Sequence, residues 1–502
     1  MELSRPTKQD LLDAALKNLI HLTDEEAEGF LYLMEGLFNK LEILDSLPSV
    51  TSLPQVEGRN PGQRPGSLED PHNAVLRRCL VSGIDSGRLS GVRVGLKDNI
   101  AVSGIPMTCG SNFFSEYVPD TDATVVQRIL REGGDIVAML NMDDFAWSGS
   151  GGTSVFGPVL NPHNADYLAG GSSAGSGAAL FYDDIDVTLG CDQGGSIRIP
   201  AAWCGVVGLK PTFGVVPYTG IVAEEPTFDH VGPMARTVDK VALMLDVIAG
   251  KDPLDQRQGI VPQQDYSSFL GQSVKGIRIG IVAEGFGADG SEEEVDDAVR
   301  NALADTAGLG IETIDLSIPY HLTSLAIYRG VIPEGSTAFM KTQGMGYHHL
   351  GYYDTNLGIA MKESMESRAD RLPPDAKLTL LLGTYLTERY GGLAYAKAQN
   401  LRPALRAAYD AALSDVDVLA MPTVPTLPFK YDPTQDWVTR ISRGAVASNN
   451  CAPFNAAGHP AISIPCAKVN GLPVGLMLVA KHFEDGLLIR VADALQKGMY
   501  WE

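Results

Sequence analysis

Gly170-Gly171-Ser172-Ser173-Ala174-Gly175-Ser176, followed after an apolar run by Cys191-Asp192-Gln193-Gly194-Gly195-Ser196-Ile197-Arg198-Ile199-Pro200, is the densest unusual segment of the chain. Small residues let the main chain approach a ligand closely, and successive amides around Gly194 and Gly195 can point together at one oxygen. A serine beside such amides is a candidate nucleophile, which singles out Ser196. Serine at its free pKa is weak and needs a base; a desolvated lysine can serve if its pKa falls from about 10.4 toward neutrality. Lys97 fits that role. It ends the short apolar run Gly91-Val92-Arg93-Val94-Gly95-Leu96-Lys97-Asp98-Asn99-Ile100, which would carry it into the interior. The alternative is a lysine that snorkels to the surface or pairs with Asp98.

Working outward, short β-branched runs alternate with helical stretches: residues 92–95, 123–132, 136–140, 185–189, 238–248 and 277–282. Such alternation predicts an α/β fold with a sheet buried under helices on both faces. Upstream, Thr23 and Glu26 form a capping-box pattern, and Phe30, Met34, Leu37, Leu41 and Leu44 then recur on one helical face. A helix is expected over 24–47 and a shorter one over 9–20, serving either as cover for the main body or as a dimer arm. Pro54, Gly58, Pro61, Gly62, Pro65 and Gly66 suit a surface linker from Thr51 to Pro71. The expected division is therefore a helical extension and linker over 1–70 and a main domain over 71–502.

The 502 residues exceed the usual limit of about 250–300 for one simple core. A net charge of −22 disfavours an unassisted nucleic-acid or anionic-membrane surface, because those partners are held mainly by Lys and Arg. The six cysteines lack CxxC spacing and read as reduced thiols, and no metal-ligand cluster stands out. The charged N-terminus lacks an apolar signal core and no apolar run reaches roughly 18 residues, so the default expectation is the cytoplasm.

Two shorter motifs compete for attention. Gly285-Phe286-Gly287-Ala288-Asp289-Gly290 has dinucleotide-binding spacing, yet Ser291-Glu292-Glu293-Glu294 follows, placing three carboxylates where phosphates would sit. It reads as a turn with a Ser cap. Gly171-Ser172-Ser173-Ala174-Gly175 satisfies the nucleophile-elbow pattern, with His230, His321, His459 and His482 available downstream. That reading leaves Lys97 and the surrounding glycines unexplained.

Taken together, Gly95-Leu96-Lys97-Asp98-Asn99, the serine-glycine run from Gly170 and the segment from Asp192 through Trp203-Cys204-Gly205 to Lys210-Pro211-Thr212 resemble the amidase signature family. The resemblance implies the amidase signature fold, a large mixed β-sheet covered by helices, and a Ser, cis-Ser, Lys triad. Carried over by position, the nucleophile is Ser196, the bridging cis-serine Ser172 and the base Lys97. The oxyanion hole falls to the main-chain amides of Gln193, Gly194, Gly195 and Ser196, and the peptide bond between Gly171 and Ser172 is expected to be cis. By the same resemblance Trp147 and Asn450 line the substrate pocket, while Arg198 is a structural partner. The implied activity is hydrolysis of a monocarboxylic acid amide to carboxylate and ammonia, with no metal or cofactor, by a homodimer similar to the nitrile-pathway amidases. Carbamates and nylon-type oligoamides are alternative substrates; a non-catalytic nucleotide-binding protein is the remote alternative.

Overall fold

The computed structural model describes residues 4–47, 58–114 and 117–498, and the chain divides into two compact units, Met1–Pro54 and Gln55–Glu502. In the first unit the helix Asp24–Ser46 forms where the periodicity predicts it, the shorter one expected over 9–20 is Lys8–Lys17, and both begin with a capping box, Thr7 with Asp10 and Thr23 with Glu26. Along the second helix Phe30, Leu37, Leu41 and Leu44 are exposed.

The second unit is built on a mixed sheet of 12 strands among the described residues. Its order is Asn60–Gln63, Val75–Val81, Asp135–Leu140, Arg93–Lys97, Val187–Asp192, His230–Ala235, Val207–Lys210, Ala461–Val469, Leu472–Val479, Val418–Pro422, Arg278–Val282, Glu312–Leu316. Every residue of Val187–Asp192 and of Leu472–Val479 is buried. Successive side chains of a strand point to opposite faces, so such runs mean that both faces are covered. The helix Val238–Ile248 buries Val241, Met244, Leu245 and Ile248 toward this core, and Asp485–Gly498 buries Leu488, Ile489, Val491 and Leu495.

Two expectations change. Part of the linker region, residues 51–57, lies outside the described residues; of the rest, Asn60–Gln63 forms an edge strand antiparallel to Val75–Val81. Its proline and glycine are compatible with an edge, where a missing N–H costs no ladder bond. The acidic helix is Glu293–Asp305 and its N-cap is Glu292, not Ser291. Glu293, Glu294 and Asp296 fill its first turn, where carboxylates complement the helix dipole. Among the described residues no helix is long and apolar enough to cross a membrane.

Candidate active site

Lys97 closes the strand Arg93–Lys97, which runs parallel to Val187–Asp192 with Leu96 opposite Leu189. Carboxyl ends of parallel neighbours emerge at the same edge of a sheet, where ligands of α/β folds collect. The lysine and the loop that leaves Asp192 thus meet for topological reasons. Lys97 is fully buried, with Nζ 2.7 Å from Ser172 Oγ and 3.5 Å from the Cys191 carbonyl. Asp98 does not neutralise it, because that carboxylate accepts the N–H and hydroxyl of Thr108. Burial pushes the lysine below its ordinary 10.5, against the opposing pull of Cys191, Glu224, Asp143 and Asp192.

The peptide bond between Gly171 and Ser172 is cis. A side chain at Gly171 would collide with the Asp143 carboxylate, which is fixed by the N–H groups of Gly151 and Thr153, each at 2.8 Å. Asp143 also donates its own N–H to the Ser172 carbonyl at 3.1 Å. Ser196 is 6% exposed, and its carbonyl accepts the Ser173 N–H at 3.2 Å, tying the two serine loops together. The structure therefore brings Lys97 and Ser172 into direct contact and holds Ser196 to them through the main chain.

Behind the glycines lies a buried clamp. Asp192 accepts Gly195 N–H at 2.8 Å and Ile197 N–H at 3.1 Å, and pairs with Arg198, both side chains being fully buried. Asn455 bridges the pair, donating to Asp192 at 2.9 Å and accepting from Arg198 at 2.7 Å. Burial opposes the charge on Asp192, yet Arg198 and Asn455 hold its carboxyl well below the usual range. Arg198 is thus the structural partner expected from the sequence. Of the four amides expected from the sequence to form an oxyanion hole, that of Gly195 is committed to Asp192, while those of Gln193, Gly194 and Ser196 have no acceptor among the described residues. Removing one member of a buried pair leaves the other charge uncompensated, so Asp192→Ala is expected to lower stability by about 3–5 kcal/mol. A shift of the urea midpoint measures this; an unchanged midpoint would show that the clamp holds nothing.

The pocket residues fare differently from each other. Trp147 sits against the apolar cluster of Met107, Phe113, Phe114 and Phe145, with its Nε1 buried and unpartnered. Asn450 is a strut: its amide donates to the carbonyls of Gly285 and Pro422, both at 2.8 Å, and accepts from His321. The nucleophile-elbow reading fails on contacts, since the Ser173 hydroxyl donates to the Cys191 carbonyl and accepts the Cys191 N–H, and no histidine is hydrogen-bonded to it among the described residues.

A family model described as Amidase matches residues 75–489. The chain belongs to the amidase signature family. Among curated relatives it is 39% identical over 425 residues to a glutamyl-tRNA(Gln) amidotransferase subunit of Caldanaerobacter subterraneus subsp. tengcongensis, covering 83% of this chain and 85% of that one. A relative of the same name from Halothermothrix orenii is 34% identical over 98% of both. The solved structure of the corresponding Thermotoga maritima protein superposes with a TM-score of 0.72 at 32% identity, covering 86% of this chain and 90% of the other. A 6-aminohexanoate cyclic dimer hydrolase gives a TM-score of 0.72 at 26% identity, covering 83% and 86%. Family membership makes this an amide-cleaving type of enzyme.

Residues from distant segments also reach this site, in contacts that the sequence could not assign. Tyr328 places its hydroxyl where a side chain on Gly194 would lie, 2.5 Å from that position, and Cys451 packs against Gly195 in the same way at 2.6 Å. Neither sits in a motif. A cavity of about 1180 Å³ opens alongside, lined by Tyr218, Val222, Ala223, Glu225 and Asp229 among others. Lys97, Ser172 and Ser196 do not line it, but Tyr218 accepts the Gln193 side-chain amide at 3.0 Å, so its wall abuts the loop that leads to Ser196.

Proposed function

We propose that the protein hydrolyses small carboxamides through an acyl-enzyme on Ser196. The observation that carries this reading is the wholly buried Lys97, 2.7 Å from the hydroxyl of a cis-linked Ser172 and held down in pKa by burial. Neutral Lys97 takes the proton of Ser172 as Ser172 takes that of Ser196, and Ser196 Oγ attacks the carbonyl carbon. The resulting oxyanion is met by the free amides of Gln193, Gly194 and Ser196. The proton returns along the relay to the leaving nitrogen, the C–N bond breaks and ammonia departs. Water then repeats the sequence on the ester, giving the carboxylate and free Ser196.

Ammonia release from acetamide, propionamide, benzamide, glutamine and a carbamate tests the substrate class. Release from the simple amides by the chain alone is the expected result. A second reading, in which the chain supplies glutaminase activity to a larger complex, is favoured by the relatives named as amidotransferase subunits. Activity confined to glutamine, or arising only when partner proteins are added, would replace the first reading by the second. Light scattering on the purified chain tests the homodimer: twice the chain mass is the expected result, and a monomer would remove it.

The Gly194 amide gives a sharper test of the oxyanion assignment. The ring of Tyr328 is stacked on Phe228 at 5.4 Å between centroids, so its hydroxyl has little room to retreat from a methyl at Gly194. Gly194→Ala keeps the N–H but pushes the loop away from Tyr328 and so misplaces the donor, and is expected to lower kcat by up to about 10²- to 10³-fold, the cost of losing one oxyanion donor. Adding Tyr328→Phe removes the obstructing oxygen and is expected to restore part of that loss. Wild-type kcat in Gly194→Ala would move the hole elsewhere.

A further inference from the structure

His459 lies where the helix Ala452–Ala457 hands the chain to the strand Ala461–Val469, and His482 lies just past the end of the neighbouring strand Leu472–Val479. The two rings are 4.2 Å apart between centroids. The helix Leu393–Asp415 brings Asp410 to the same place, with Oδ1 3.0 Å from His459 Nε2. One nitrogen of each imidazole and one oxygen of Asp410 all lie within 4.8 Å of one another. The three come from separate segments, so only the fold assembles them.

A hydrogen bond from His459 to Asp410 accounts for two of the three residues. It leaves His459 Nδ1 buried and without a partner, so no second bond fixes the tautomer and the proton on Nε2 is free to give way to a metal ion. His482 takes no part in that bond. Its Nε2 is 3.2 Å from the Ala457 carbonyl, the kind of main-chain contact that orients a ligating imidazole. Two cations stand nearby, and both are turned to the main chain: Lys210 Nζ donates to the His459 carbonyl at 2.6 Å and Arg406 Nε to the Ala457 carbonyl at 3.1 Å. Arg406 opposes a further cation, yet among the described residues no Lys or Arg pairs with Asp410, and that charge is left for an ion. Zinc binds His nitrogen and carboxylate oxygen at about 2.0–2.2 Å, which spaces the donors of a tetrahedral site roughly 3.4 Å apart. His459 is wholly buried and fixed, whereas the Asp410 side chain is 47% exposed and His482 is half-buried, so small rotations of these two close the remaining distance. Arg406, Ala407 and Asp410 line one end of the large cavity, which gives an ion an entry path and leaves its fourth position open to water.

We propose that Asp410, His459 and His482 form a binding site for a divalent transition-metal ion such as zinc, sharing no residue with the Lys97, Ser172 and Ser196 set. An ion there pins the helix Leu393–Asp415 to the segment that follows Asn455, the residue that bridges Asp192 and Arg198. Calorimetry tests it on the full chain, stripped of metal with EDTA, dialysed and titrated with zinc chloride at neutral pH. The wild type is expected to bind one zinc per chain, and Asp410→Asn and His482→Gln each to lose at least tenfold in affinity. Asp410→Asn keeps an oxygen that accepts from His459 and removes only the charge, so its melting temperature without metal is expected to match the wild type. Zinc should raise the melting temperature of the wild type and of neither variant. His348 and His349 are exposed and line the same cavity, so His348→Gln/His349→Gln is the control, and it is expected to bind zinc as the wild type does. No binding by the wild type, wild-type affinity in Asp410→Asn or in His482→Gln, or loss of binding in the control overturns the proposal and leaves the three residues as a hydrogen-bonded cluster.

Discussion

Ser196→Ala is expected to lower amide hydrolysis about 10⁴-fold or more, with KM little changed and the melting temperature within a degree or two of the wild type. The size follows from the chemistry: without the nucleophile no acyl-enzyme forms, and what remains is the modest help that binding and the oxyanion amides give to direct attack by water. The absence of a structural effect follows from the packing. Only the hydroxyl is lost, and that group makes no hydrogen bond among the described residues, whereas the main chain of Ser196 stays tied to Ser173 at 3.2 Å. Ammonia release at saturating substrate, read beside a thermal melt, checks both halves. A mutant that retained even a hundredth of the wild-type rate would remove Ser196 from the mechanism. Trapping gives a second check, because a slow ester or carbamate should add its acyl mass to the wild type and not to the mutant.

How far the site was legible in the sequence depends on where each part lies along the chain. The strand carrying Lys97, the cis-serine run and the glycines before Ser196 are contiguous motifs, and it is their resemblance to the family that let them be read together. The strands followed from short β-branched runs alternating with helical stretches, the mark of a sheet covered on both faces, and the long N-terminal helix from its period of 3.6. What could not be read is what folding brings in from afar. Asn455 completes the Asp192–Arg198 clamp from more than 250 positions away, and Tyr328 and Cys451 wall the glycine loop from single positions on helical segments with nothing unusual about them. Asn450 illustrates the converse: an amide that looks like a ligand contact in sequence is consumed by two main-chain carbonyls in the fold. The commitment of the Gly195 N–H to Asp192 was equally invisible, since the spacing of three residues is compatible with either an oxyanion donor or an internal turn. The edge strand Asn60–Gln63 escaped because its Pro and Gly are the residues that ordinarily mark a loop.

Lys97→Met is expected to separate function from stability. Activity should fall about 10²- to 10⁴-fold, the range that a positioned general base supplies. Stability should hold or rise, because the substitution keeps the length of the side chain while removing a group whose charged form is penalised by burial. The sign follows from linkage. Burial lowers the folded-state pKa of Lys97 below its ordinary 10.5, so in the window between the two values the unfolded chain binds the extra proton. Stability then increases as pH rises through that window, and the lysine costs the fold most at pH values below its folded pKa. The stability gained by Lys97→Met should accordingly be largest at low pH and shrink as the pH approaches 10.5. Opposing this is the loss of the 2.7 Å bond to Ser172, about 1 kcal/mol for an ordinary hydrogen bond. The wild-type pH–rate profile carries the matching signature: kcat/KM for a neutral amide should rise tenfold per pH unit below the folded pKa of Lys97 and level off above it, since only the neutral amine accepts the Ser172 proton. Melting curves of the two proteins from pH 5 to 10, set beside that profile, test the assignment from two sides. A mutant destabilised at every pH, with a wild-type rate flat from pH 5 to 9, would mean that Lys97 is a charged structural partner and that the base lies elsewhere.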